Sequence, residues 1–185
     1  MKMSSKFLVT SVLSAFSSLA FAQTFPAAQA VAPGCADKKI KWDVTTDRSK
    51  HPIATPDPGK ALVYFLQDDA NFQNSPKPTT RFGLDGNWVG ATQSNAYFYV
   101  SVDPGEHHLC AGWQSWVGVG EGHTSAADHF TAEAGRSYFF IVRNFYTNSV
   151  HEPPNGANMK LEQVNGDEGQ LLMSKFGFST SHARK

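Results

Sequence analysis

No charge of one sign dominates this chain. Its 185 residues carry 16 Lys and Arg against 16 Asp and Glu, a formal net charge of zero. No basic stripe marks it for nucleic acid or an anionic lipid surface, so neither partner is expected. Long apolar runs are scarce. The longest, Phe7 to Ala20, falls short of the roughly 20 apolar residues that a spanning helix needs, and the rest of the chain is expected to hold no transmembrane segment. Catalytic signatures are lacking: there is no G-x-S-x-G elbow, P-loop, G-x-G-x-x-G or H-E-x-x-H. These absences predict a protein that is not an enzyme and needs no cofactor. Cysteine is confined to Cys35 and Cys110.

The N-terminal residues explain that short apolar run. Lys2 and Lys6 give a positive start, and Ala20-Phe21-Ala22 fits the small-x-small pattern of a signal-peptidase site. Residues 1–22 are therefore read as a signal peptide cleaved after Ala22, and the mature protein as periplasmic or secreted. Removing them leaves 14 of the 16 basic residues against 16 acidic ones, still near neutral. In an oxidising compartment two cysteines suggest a disulfide, here Cys35 to Cys110. Pro33 lies just before Cys35, and no leucine-led small-residue box precedes it, so lipid attachment at Cys35 is not expected.

Residues 23–57 read as an arm ending in a proline-rich connector, His51 to Gly59, with a short edge strand near Lys39–Val44. Residues 58–180 form the folded domain, and residues 181–185 a flexible tail. Lys60–Gln67 is apolar on both faces and predicts a central strand. Asp85-Gly86 predicts a two-residue hairpin turn between Thr80 and Ala91. Tyr97 to Gln114 reads as a further hairpin, turned by Pro104-Gly105 in a type II turn. Its register pairs Val102 with His107, Val100 with Leu109 and Phe98 with Ala111. Alternation then gives Phe98, Val100, Val102, Leu109, Ala111 and Trp113 one apolar face. A third hairpin turns at Ala134-Gly135 and returns through the apolar Ser137–Arg143. Tyr146–Met159 reads as a loop and Lys160–Val164 as a final strand. Asn165 or Asp167 caps a helix running to Phe176, with Leu171, Leu172 and Phe176 facing inward and Gly177 as its stop. The fold class expected is all-β: an antiparallel β-sandwich of about seven or eight strands with a short C-terminal helix.

Five motifs occur in order: Lys-Ala-Leu-Val-Tyr-Phe at 60–65, Leu-Asp-Gly-Asn-Trp-Val-Gly at 84–90, Asp-Pro-Gly-Glu-His at 103–107, Ala-Glu-Ala-Gly-Arg-Ser-Tyr-Phe at 132–139 and Asp-Glu-Gly-Gln-Leu-Leu at 167–172. Together they resemble domain of unknown function 2846, a family of bacterial exported and envelope proteins, over about Pro58 to Ser179. The Asp-Gly hairpin followed by Pro-Gly-Glu-His also resembles PEGA-type surface modules. The resemblance implies a small β-sandwich in the cell envelope and carries over no catalytic residues.

Three functional readings follow. The first is a non-catalytic envelope or extracellular binding domain with an envelope protein or glycan as partner. The second is a glycan-binding face built from Trp88, Trp116 and Tyr99. The third is a metal-binding protein or enzyme using His123 and His129, with Asp128 and Glu133 nearby. His107 and His108 are adjacent in a strand, so their side chains point to opposite faces.

Overall fold

A computed structural model describes residues 40–73, 75–114, 124–147 and 156–184. The predicted signal peptide, Cys35, Trp116 and His123 lie outside the described residues. Those described are mainly β, with ten strands and one short helix. In chain order the strands are β1 (Trp42–Asp47), β2 (Ala61–Asp68), β3 (Thr79–Leu84), β4 (Asn87–Gln93), β5 (Ala96–Val102), β6 (Gly105–Trp113), β7 (Ser125–Ala132), β8 (Ser137–Thr147), β9 (Gly156–Val164) and β10 (Gly177–Ala183), with helix α1 (Gly166–Met173) between the last two. They form a six-stranded sheet, β1-β10-β5-β2-β8-β9, and a four-stranded sheet, β4-β3-β6-β7.

The inward faces of the two sheets meet in one apolar cluster. Val63, Phe65, Phe98 and Phe140 of the larger sheet pack with Phe82, Leu109, Trp113 and Phe130 of the smaller one. The larger sheet is also covered on its outer face. There Leu62, Tyr64, Leu66, Tyr97, Phe139 and Ile141 pack with Met173 and Phe176 from α1 and the turn after it. The proline-rich connector runs over this face without regular structure. It is tied down where Tyr97 Oη donates to the Pro52 carbonyl and Tyr64 Oη to the Ala54 carbonyl. This double coverage explains why β2 and β8 are apolar on both faces. They are neighbours in parallel, Phe65 opposite Phe140, and both lie inside the sheet.

The Asp-Gly turn forms as expected. Asp85 (φ 49°) and Gly86 (φ 79°) both take the left-handed conformation of a type I′ turn between β3 and β4. The expected edge strand is β1, shifted to Trp42–Asp47 and paired with β10. Helix α1 starts as expected, with the Asn165 side chain accepting from the Glu168 N–H.

Two expected hairpins are instead crossings between the sheets. β5 pairs with β2 (Phe98 opposite Phe65, Val102 opposite Ala61), whereas β6 pairs with β3 and β7 (Ala111 opposite Phe82 and Ala126). The type II turn is absent: Gly105 has φ 138°, far from the value of about +80° that such a turn uses. β7 and β8 likewise belong to different sheets, so Ala134-Gly135 turns a corner rather than a hairpin. The predicted apolar face survives this change. Phe98, Val102, Leu109, Ala111 and Trp113 lie in the shared core with Val100 packed against it. A crossing and a hairpin both leave alternation intact, so both send the same residues inward.

Further corrections concern the C-terminal part. β8 and β9 extend into the expected loop, as far as Thr147 and from Gly156. Lys160–Val164 is not the last strand, because β10 follows α1. The expected tail takes part in it: Ser181 pairs with Val44 and Ala183 with Trp42. Of the expected inward stripe, Phe176 is buried and Leu172 packs against the outer cluster, but Leu171 is 57 % exposed, and the helix itself buries Gly169 and Met173. Gly177 opens β10 rather than ending the helix, whose C-cap is Ser174. Among the described residues there are ten strands, not seven or eight.

Candidate functional site: the outer face of β6 and β7

The turns 84–87 and 103–107 are joined by one carboxylate. Asp85 Oδ1 accepts from the His108 backbone N–H at 2.9 Å, and Asp85 Oδ2 lies 2.6 Å from His107 Nδ1. His107 Nε2 lies 2.7 Å from the Asp103 carbonyl. A carbonyl and an ionised carboxylate only accept, so both ring nitrogens carry hydrogen and the ring is an imidazolium. Burial would lower the pKa of His107, but the Asp103 carbonyl and the Asp85 carboxylate outweigh it and hold it above its ordinary value. For Asp85, burial would raise the pKa, but the His108 N–H and His107 outweigh it and hold it below the usual carboxylate range. Asp85 and His107 resemble a catalytic dyad in spacing only. Both imidazole nitrogens are occupied, which leaves none to take a proton from a substrate.

The chain's buried acid is likewise engaged. Asp69, 4 % exposed, accepts from Gln67 Nε2 on both oxygens (3.0 and 2.9 Å) and from Asn144 Nδ2 at 2.7 Å. Asn144 also accepts from Trp113 Nε1 at 2.8 Å, and Thr92 donates to Gln67 Oε1 at 2.6 Å. This buried network draws on β2, β4, β6 and β8 and so stitches the two sheets together. Burial raises the pKa of Asp69, and the hydrogen bonds from Asn144 and Gln67 oppose that shift. His51 Nδ1 lies 3.0 and 2.9 Å from the carbonyls of Met173 and Phe176, so it closes the end of α1.

A different set of side chains faces solvent. Glu106, His108, Ala127 and His129 on the outer face of the smaller sheet, with Asp128 at the edge of β7, line an open depression of about 370 Å³. His108 and His129 are register partners across β6 and β7, with ring centroids 6.4 Å apart. His108 Nε2 lies 3.8 Å from Glu106 Oε1. Asp128 Oδ1 accepts from the His129 N–H at 2.8 Å. Among the described residues no three His, Cys, Asp or Glu side chains already surround a common point.

No family profile, curated protein or solved structure matches the chain.

The structure brings some predicted site residues together and separates others. Asp128 and His129 share the depression. Glu133 follows β7, and its N–H donates to Tyr138 Oη. Trp88 stacks on the Arg81 guanidinium, 4.5 Å from the ring, on the outer face of the smaller sheet. Tyr99 packs against Tyr64 and Phe178 on the outer face of the larger sheet. Trp88 and Tyr99 therefore lie on opposite sides of the molecule and build no shared platform. Cys110 is 1 % exposed, in β6 opposite Gly83 and Ala127. His108 was visible only as a strand histidine. Its pairing with His129 depends on the β6–β7 register, and that register was hidden while β6 was assigned to β5.

Proposed function

We propose that this protein is an exported, non-catalytic binding domain of the bacterial envelope or extracellular space, built as a β-sandwich. One observation carries the reading: the groups best suited to chemistry are engaged in holding the fold. Both His107 nitrogens, the Asp85 and Asp69 carboxylates and His51 Nδ1 are occupied by structural hydrogen bonds. The polar side chains of His108 and His129 stand towards solvent on β6 and β7. The shared core between the sheets supports the sandwich. The Lys2/Lys6 start, the short apolar run and Ala20-Phe21-Ala22 support export. Cys110 is not a free thiol, which supports a bridge to Cys35, the chain's other cysteine.

A photo-crosslinking amino acid placed at Ala127 tests the reading in intact cells. Ala127 is exposed in the depression, and Thr180 on β10 is an exposed control. Light-dependent adducts with an envelope protein or glycan at 127, and not at 180, are expected. Equal labelling at the two positions, or none at 127, overturns the proposal.

A further inference from the structure

We propose that His108 and His129 form a cross-strand clamp for one divalent transition-metal ion, with the Glu106 carboxylate as a further ligand. The backbone sets up this pair. The His108 carbonyl accepts from the Asp85 N–H, and the His108 N–H donates to Asp85 Oδ1, so both backbone groups point away from β7. His108 and His129 are therefore a non-hydrogen-bonded pair of the β6–β7 ladder, the kind whose side chains stand closest. Their rings are 6.4 Å apart and inclined by 31°. Metal–nitrogen bonds of about 2.0–2.1 Å at a near-tetrahedral angle place two imidazole centres about 5 Å apart. Small side-chain rotations at two solvent-facing residues close that gap without moving the backbone.

The surroundings favour a cation. Glu106 Oε1 already lies 3.8 Å from His108 Nε2. Ala127 keeps the floor of the depression low. His51 and His107 are held by oxygen acceptors, but neither His108 nor His129 spends a ring nitrogen on a hydrogen bond among the described residues. Two imidazoles with a carboxylate suit Cu²⁺, Ni²⁺ or Zn²⁺ rather than Ca²⁺ or Mg²⁺, which prefer oxygen alone. The clamp stands on these side chains whether or not a macromolecule docks on the same face.

Titration of the untagged protein with Cu²⁺, followed by calorimetry and electron paramagnetic resonance, tests this. One ion per chain is expected, with hyperfine structure from two imidazole nitrogens. His108→Ala and His129→Ala should each weaken binding about tenfold or more, and Glu106→Gln less. His182→Ala, at an exposed histidine on β10, should leave binding unchanged. Circular dichroism melts establish that each variant is folded. Absence of one-to-one binding, or binding that folded His108→Ala and His129→Ala proteins retain, overturns the clamp.

Discussion

His107 and Asp85 together make stability depend on pH from both sides. The folded pKa of His107 is raised, so its contribution is complete below the unfolded value of about 6.5 and is lost as pH rises through the folded value. The folded pKa of Asp85 is lowered, so its contribution is present above the unfolded value and is lost as pH falls through the folded one. The stability difference between the native protein and His107→Gln should therefore shrink as urea melts are repeated from pH 6 to pH 9. A constant difference would mean that His107 is not held as an imidazolium. Asn144 offers a second test at this scale. Asn144→Ala strips a partner from Trp113 Nε1 and from Asp69, both buried. Trp113 Nε1 loses the acceptor Asn144 gave it, whereas Asp69 keeps Gln67, so a loss of about 1–3 kcal/mol is expected in denaturant melts, and unchanged stability would contradict the network's role. Neither network was readable in advance. Gln67 and Asp69 stand at the end of β2, where polar residues usually meet water, Asn144 lies within β8, and only the packing of two sheets buries them.

Elements with strong local chemistry were legible. Asp85-Gly86 supplies the two positive φ values of a type I′ turn, and Asn165 supplies a cap, so both formed where expected. Gly86→Val forces a β-branched residue into φ 79° and should cost roughly 1 kcal/mol or more in a denaturant melt. Unchanged stability would refute the turn's role. Helix α1 rests on β8 through a missing side chain: a Cβ at Gly169 would lie 2.4 Å from the Phe139 ring. Alanine in a helix usually gains about 0.5–1 kcal/mol over glycine, whereas overpacking costs about 1–3 kcal/mol. Gly169→Ala should therefore lower the melting temperature, and a rise would show that the helix can lift off. Strand pairing was the illegible part. Alternation at Phe98, Val100 and Val102 reports which face is apolar, and it is silent on whether the next strand lies beside β5 or across the core from it.

At the scale of the whole molecule, the two crossings after β5 and β7 decide the architecture and the site. They move β6 and β7 into the smaller sheet, where β7 is an edge strand, and so place His108 beside His129 on a solvent-facing surface. No residue pattern within either strand announces this. The candidate site therefore became visible only once the sheets were assigned, although Asp128 and His129 already stood out as polar, metal-competent residues. Helix α1 and the connector cover the middle of the larger sheet's outer face. Intact mass of the protein recovered from the periplasm or medium without reductant tests whether the domain is exported. The expected species is Gln23–Lys185 lacking two hydrogens, as the bridge between Cys35 and Cys110 requires. A product retaining Met1 and confined to the cytoplasm, with both thiols open to alkylation, would contradict it.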